Sequence, residues 1–129
     1  MRIEEYFLLT KGIVESSPVI HLSNITYDKR GTYEGFIRGE IHFVDNSYLH
    51  WREFVDVETT ENRLMYAYQY MDHSKKLVFR YDNTGHHKKL GLATYPHHKH
   101  ELGEDNVVAC LAVDLASVLQ EIESLVQIP

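Results

Sequence analysis

Residues 33–57 read YEGFIRGEIHFVDNSYLHWREFVDV, and apolar side chains alternate with polar ones on both sides of a short turn. Alternation with a period of two is the pattern of a half-buried β-strand. The turn Asp45–Ser47 reads DNS, and Asp and Asn favour tight turns because they hydrogen-bond their own backbone and tolerate left-handed geometry. The segment therefore predicts a β-hairpin with strands at Tyr33–Val44 and Tyr48–Val57.

The same period continues on both sides of this hairpin. It predicts three further strands, at Val19–Tyr27, Arg63–Met71 and Leu77–Asp82, separated by turn residues at the intervals of an antiparallel meander. Gly35 and Gly39 lie on the apolar face of the second strand. A missing side chain at such a position would let a helix or a neighbouring strand approach closely.

Apolar residues recur every three or four positions at the two ends of the chain, which predicts amphipathic helices at Arg2–Val14 and Val113–Val126. Asp114 is placed to cap the second helix. Residues 84–106 show no regular period and predict a long loop, a length typical of segments that are either functional or disordered. The predicted fold class is α+β, with a five-stranded antiparallel meander and the N-terminal and C-terminal helices packed on it. A chain of this length fits a single domain, residues 1–129.

The composition is that of a soluble globular protein, with 43% hydrophobic and 25% charged residues. No apolar run approaches the roughly 18 to 20 residues that span a bilayer, and Glu4 and Glu5 stand where a signal peptide carries positive charge. We therefore expect a cytoplasmic protein that is not bound to a membrane. The single cysteine, Cys110, cannot form an internal disulfide and is predicted to be a small buried residue.

Charge is unevenly distributed along the chain, whose net charge is −6. Residues 73–100 hold six Lys or Arg against one acid, Asp82, so this segment carries +5 and the remainder −6 − 5 = −11. Six of the nine histidines lie in the same segment, and a histidine can bind or release a proton near neutral pH. The basic, histidine-rich segment is therefore predicted to be the working surface.

The residue types in this segment suit phosphate chemistry. Arginine binds a phosphate through two hydrogen bonds, histidines exchange protons, and cations stabilise charge in the transition state. In metal-independent RNA cleavage the 2′-hydroxyl attacks its own phosphate, while one group removes its proton and another protonates the leaving 5′-oxygen. The catalytic candidates are His97, His98, His100, Arg80 and Glu53. The candidates for substrate binding are Lys99, Asp82, Asn83, Tyr81, His86, His87 and Tyr95.

Glu53 is out of place, because the alternation puts this carboxylate on the apolar side of the third strand. Burying an unpaired charge costs several kcal/mol. We therefore expect Glu53 to pair with a base, such as Arg80 or a histidine, or to line a cleft. A row on one face of the fourth strand is predicted to pack within the sheet, or to stack on bases if it is exposed: Leu64, Tyr66, Tyr68 and Tyr70.

Other interpretations of the basic segment remain open. It could be a solvated surface, or a noncatalytic binding module that docks the acidic face of a partner or nucleic acid. It could also belong to a histidine-ligated metal hydrolase, although the chain has no Cys-x-x-Cys or His-Glu-x-x-His motif. No metal or other cofactor is predicted. Asp82 could orient a histidine or Arg80, and Asn83 could close its strand through a local turn.

Several runs of the sequence resemble the TumE-type toxins of bacterial and archaeal toxin–antitoxin modules. They are Tyr6-Phe7, Gly39–Asp45, Leu49–Asp56, Phe79–Asn83, His86-His87 and Tyr95–His100. The chain departs from the family pattern at Asn46, where glycine is usual, and at Lys88-Lys89, where a proline and an acid are usual.

The resemblance implies a toxin of a type II toxin–antitoxin module that inhibits growth through RNA. It also implies a helix-turn-helix antitoxin, encoded by a neighbouring gene, as a partner. Activity as a metal-independent ribonuclease through a His/Arg/Lys cluster rests on this analogy together with the residue types. Whether the toxin forms a homodimer is left open.

Overall fold

The structure, a computed structural model, describes residues 1–60, 62–83, 98–101, 107–109 and 114–127. Of these, residues 62, 98, 100, 101 and 107–109 are described by their backbone alone. The elements in chain order are α1 (Ile3–Glu15), β1 (Ile20–Lys29), β2 (Glu34–Phe43), β3 (Tyr48–Asp56), β4 (Asn62–Met71), β5 (Leu77–Asp82), β6 (His98–Glu101), β7 (Val107–Ala109) and α2 (Leu115–Leu125).

The strands form one antiparallel sheet in which each strand pairs with its neighbour in the chain, in the order β1-β2-β3-β4-β5-β6-β7. The predicted meander of five strands and its two helices are confirmed. Two short strands, β6 and β7, extend the sheet beyond β5. The predicted loop at residues 84–106 is therefore wrong for residues 98–101. This stretch reads HKHE and has no apolar alternation, but the edge of β5 supplies it with backbone partners.

The sheet has two chemically different faces. Both helices pack against one of them, which we call the helix face, and their buried side chains form one core with those of β2 to β5. The core residues at the helix contacts include Ile3, Tyr6, Ile37, Trp51 and Ile122, none of them more than 7% exposed. The opposite side, which we call the open face, is not covered by any helix of the described residues. Period-two alternation places the polar residues of β2 to β5 there.

Two glycines of β2 allow close packing, as the sequence predicted. A Cβ atom on Gly35 would lie 2.5 Å from Cζ of Phe7 and 2.6 Å from Cγ1 of Ile3, both on α1. A Cβ atom on Gly39 would lie 2.9 Å from the ring of Trp51 on β3. The helix and the indole ring therefore occupy space that any side chain at these positions would fill.

The hairpin turn between β2 and β3 uses a left-handed residue, Asn46, with φ of 69°. Asp45 stabilises the turn by accepting hydrogen bonds from the backbone N–H and the hydroxyl of Ser47. Asparagine is one of the few residues that tolerate this backbone region, and glycine is another. Asn46 can therefore replace the glycine that is usual in the resembling family without changing the turn.

A bulge changes which residues of β4 face the core. The register with β3 shifts so that Met65 pairs with Phe54 and Arg63 pairs with Val55. Leu64 is the extra residue, and it is 51% exposed. The prediction that Leu64 shares the face of the three tyrosines is therefore wrong, whereas Tyr66, Tyr68 and Tyr70 are buried as predicted. The bulge turns Arg63 toward the core, where its Nη1 donates to the hydroxyl of Tyr68 at 3.2 Å.

The close approach of α1 to Gly35 predicts the effect of adding one methyl group. Gly35→Ala should lower the free energy of unfolding by about 2 kcal/mol, because buried side chains of α1 must move. Gly12→Ala is the matched control, since a Cβ atom there meets nothing within 4 Å and alanine favours a helix by about 0.5–1 kcal/mol over glycine. Urea denaturation measures both. Equal stability of Gly35→Ala and the wild type would contradict this packing.

Candidate functional site

The open face holds a pocket of about 330 Å³ among residues of β2, β3, β4 and β5. We call it the basic pocket, after its polar lining of Arg38, His50, Arg52, Gln69 and Arg80. The strand register explains this convergence, because residues directly opposite each other in an antiparallel pair share a face. One row across the sheet runs Glu40, His50, Gln69, Arg80, and the next runs Arg38, Arg52, Ala67, Asp82. The small side chain of Ala67 leaves room between the longer ones.

Two arginines in this pocket are direct cross-strand partners. Arg38 on β2 is opposite Arg52 on β3, and both side chains are exposed. Like charges placed directly opposite each other destabilise a sheet. Within the described ranges, neither arginine forms a salt bridge with a carboxylate. The pair therefore creates a region of positive potential, and a bound anion would reduce the repulsion between the two charges.

Arg80 is held differently. Its Nε lies 3.0 Å from Oδ2 of Asp82, and the Asp82 side chain is only 1% exposed. This contact is an ion pair without hydrogen-bond geometry at Nε, and a half-buried guanidinium beside a buried carboxylate has less side-chain freedom to lose on binding a ligand than an exposed one. Arg80 is therefore a preorganised cation at the edge of the basic pocket, and the position of Asp82 fits the orienting role that was one of its predicted alternatives.

A histidine and a glutamate flank the arginines. Nε2 of His50 lies 3.9 Å from Oε1 of Glu40, and Nε2 of His42 lies 4.0 Å from the same oxygen. His50 is exposed and also lines the basic pocket. An imidazole beside a carboxylate and a group of cations is of the type that can transfer a proton.

Sequence reasoning did not select Arg38, Arg52 or His50. All three stand outside the basic segment of residues 73–100, and only strand pairing brings them to Arg80. The sequence carried one indication of these residues, because each lies among the polar positions of the alternating pattern of its strand. Aligning the predicted strands about a turn at residues 45–47 would have placed Arg38 opposite Phe54, so the pairing of Arg38 with Arg52 comes from the observed register.

The predicted histidines are only partly located. In the backbone register, His100 of β6 is opposite Arg80 and His98 is opposite Asp82. The remaining candidates, His86, His87, Tyr95 and His97, lie outside the described residues, as does Cys110. The contribution of these histidines to a site with Arg80 therefore stays a prediction.

Lys99 and Tyr81 lie on the helix face, away from Arg80. Nζ of Lys99 is 3.0 Å from Oε2 of Glu121 on α2 and 4.8 Å from the centre of the Tyr81 ring. The Tyr81 hydroxyl donates to Oε1 of the same glutamate at 2.6 Å. The sequence predicted that Lys99 and Tyr81 share a site with Arg80, but the structure does not bring them together. Tyr81 is opposite Lys99 in the register, and the alternation along β5 puts Tyr81 on the face opposite to that of Arg80.

Glu53 also lies on the helix face and is fully buried. Its carboxylate accepts hydrogen bonds from the Tyr6 hydroxyl, from Nε1 of Trp51 at 2.6 Å and from the Tyr68 hydroxyl at 2.8 Å. The expected pairing of Glu53 with Arg80 is not found, because the thickness of the sheet separates them. Hydroxyl and indole groups donate hydrogen bonds to this carboxylate instead. These hydrogen bonds join α1 to β3 and β4.

The base near Glu53 is Arg63. Burial alone would lower the pKa of Arg63, but Tyr68 and the charge of Glu53 raise it above its usual value. Burial raises the pKa of Tyr68 well above its usual value, and Glu53 adds to this. The cluster therefore holds a carboxylate and a guanidinium that are bridged by a neutral tyrosine hydroxyl.

Asn83 closes the end of β5. Its Oδ1 accepts from the backbone N–H of Tyr66 at 2.9 Å, and its Nδ2 donates to the backbone oxygen of Leu64 at 3.4 Å. These bonds attach β5 to β4 beyond the last paired residues. They close the strand through contacts with β4 and not through the local turn that the sequence suggested.

Among the described residues, no group of three or more His, Cys, Asp or Glu is arranged to hold a metal ion. None of their helices has the length and apolar character needed to cross a membrane.

The toxin TumE family model matches residues 10–126 of the chain. The chain belongs to the toxin TumE family. This confirms the resemblance, and it makes the protein a toxin of a toxin–antitoxin module that has an antitoxin as its partner. The match to TumE includes every residue of the basic pocket and Glu53. Searches of curated proteins and of solved structures gave no match.

The Glu53 cluster predicts that one hydroxyl of this TumE toxin contributes measurably to stability. Tyr6→Phe should lower the free energy of unfolding by about 2 kcal/mol, because a buried carboxylate loses a donor. Tyr33→Phe removes a hydroxyl from a ring that is 38% exposed and should change stability by less than about 0.5 kcal/mol. Urea denaturation distinguishes the two, and similar midpoints for both variants would show that the Tyr6 contact contributes nothing.

The Tyr81–Glu121 contact predicts a loss of stability in alkaline solution. Burial and the hydrogen bond to Glu121 raise the pKa of Tyr81 to about 12, against about 10 in an unfolded chain. Because the folded-state pKa is the higher one, this stabilisation is complete below pH 10 and is lost as pH rises through 12. Tyr81→Phe should therefore lose less stability than the wild type between pH 10 and 12. Parallel pH profiles of the melting temperature would contradict the assignment.

Proposed function

We propose that this toxin binds the phosphate backbone of RNA in the basic pocket and cleaves the RNA there without a metal ion. The observation that carries the proposal is the cross-strand pair Arg38 and Arg52, which meets Arg80 in one pocket on the open face. Three guanidinium groups from three strands converge there, although the chain as a whole carries a net charge of −6.

Phosphate suits this arrangement for two reasons. Guanidinium groups bind phosphate oxygens through paired hydrogen bonds. A phosphate between Arg38 and Arg52 would also remove the repulsion of two like charges held opposite each other. Arg80, whose guanidinium forms an ion pair with Asp82, would add a third contact. The pocket is therefore suited to a phosphodiester on which negative charge increases during reaction.

RNA supplies its own nucleophile. As the 2′-oxygen forms a bond to phosphorus, the bond from phosphorus to the 5′-oxygen breaks, leaving a 2′,3′-cyclic phosphate and a 5′-hydroxyl. One group accepts the 2′-hydroxyl proton and another protonates the departing 5′-oxygen. We assign one of these roles to His50, which Glu40 neighbours. The other falls to the histidines of β6, since His100 and His98 are opposite Arg80 and Asp82 in the register.

The toxin's regulation and location form part of the proposal. Membership of the TumE family supports an antitoxin partner, and we propose that it is a helix-turn-helix protein encoded by a neighbouring gene. Cellular RNA as substrate would place the toxin in the cytoplasm. A second candidate function, noncatalytic docking of the antitoxin or of nucleic acid, is supported by the same exposed arginine pair, because an acidic segment would also neutralise it.

Arg52→Ala tests the proposal directly. It should weaken binding of a short single-stranded RNA at least tenfold, and it should reduce the slope of log K against log salt by about 0.7, the change expected for one lost phosphate contact. Cleavage of the RNA in EDTA should fall by a similar or larger factor. Lys11→Ala, which removes an exposed cation from α1 on the other side of the sheet, is the control and should leave binding and cleavage near the wild-type values.

The results separate the alternatives. Unchanged binding and cleavage by a folded Arg52→Ala protein would exclude the basic pocket as the RNA site. Salt-dependent binding with intact RNA under every condition would favour the noncatalytic module. Cleavage that EDTA abolishes and Zn²⁺ restores would favour the histidine-ligated metal hydrolase.

A further inference from the structure

A third row of residues crosses the open face beside the arginine pair. Phe36 on β2 is opposite Phe54 on β3, and their ring centres are 6.5 Å apart at an angle of 56°. Met65 on β4 follows Phe54 in the register. These side chains are half-buried although the described residues place no helix on this face. They form an apolar patch where the alternation of the hairpin would otherwise place polar side chains.

The patch is continuous with the basic pocket. The guanidinium carbon of Arg38 lies 5.5 Å from the centre of the Phe36 ring, and that of Arg30 lies 5.9 Å from it. Arg38 also lines both the basic pocket and a second pocket of about 210 Å³ beside Phe36. Same-face neighbours along a strand are about 7 Å apart. An anion held by Arg38 and Arg52 would therefore be two residues along each strand, or about 7 Å, from an aromatic surface.

We infer that Phe36 and Phe54 form a base-stacking subsite, and that the toxin therefore acts on single-stranded RNA. This inference rests on the proposed function, in which the arginine pair holds the RNA phosphates. Unpaired bases stack on aromatic rings and on guanidinium planes, whereas the bases of a duplex are already stacked on each other. The combination of an arginine pair and an adjoining aromatic pair thus selects an unpaired nucleotide without reading its sequence.

The test measures the binding of fluorescently labelled 2′-O-methyl oligoribonucleotides, which lack the attacking hydroxyl and remain intact. A single strand, its duplex and a single strand with abasic sites are compared by fluorescence anisotropy. Wild-type protein should bind the single strand roughly tenfold more tightly than the abasic strand. Phe36→Leu and Phe54→Leu should remove most of that preference while changing duplex binding less than twofold.

Matched variants separate stacking from folding. Phe36→Tyr keeps the ring and should retain the preference, and Tyr33→Leu, which removes an exposed ring outside the pair, should also retain it. Thermal melting checks that each variant is folded.

The possible failures are distinguishable. Equal affinity of the wild type for normal and abasic strands, or an unchanged preference in both leucine variants, would overturn the stacking subsite. If Arg52→Ala still loses binding in that case, the RNA-binding part of the proposed function stands, and the cleavage assay in EDTA tests the rest. If Arg52→Ala binds as tightly as the wild type, the proposed function fails and the inference fails with it.

Discussion

The carboxylate of Glu53 must be met by hydrogen-bond donors, because it is fully buried in the core. Its donors come from three elements, with Tyr6 on α1, Trp51 on β3 and Tyr68 on β4. Since a buried charge without its partners is strongly destabilising, this requirement fixes where α1 lies across the sheet. Gly35 permits the same placement by leaving room for Phe7 and Ile3. One polar interaction and one missing side chain thus determine how the helix and sheet pack.

Confining the core to the helix face leaves the other face available for chemistry. The same alternation that buries Trp51 and Glu53 puts His50 and Arg52 on the open face. Basic side chains on neighbouring strands are then held at spacings set by the sheet, so little rearrangement is needed to bind an anion. Lys99 is a basic residue on the other face, where its position in the register brings it into contact with Glu121 and Tyr81.

The sequence was sufficient for features that have a regular period. The hairpin, both helices and the burial of Glu53 follow from alternation and helical spacing. Strand β6 was missed because HKHE has no apolar pattern and pairs only because β5 offers an edge. The bulge at Leu64 was missed because a register shift depends on the partner strand. Charge density along the chain selected Arg80 as a candidate, but it could not select Arg38 and Arg52, whose proximity arises from pairing across strands.

The order of the strands has a consequence for how the toxin acquires its structure. Because every strand pairs with the one before it, contacts form between residues that are close in the chain, and the entropic cost of closing each loop is small. The basic pocket needs only β2 to β5, all of which are synthesised before α2. The surface that would contact RNA can therefore begin to form during translation, while the core still awaits its last helix.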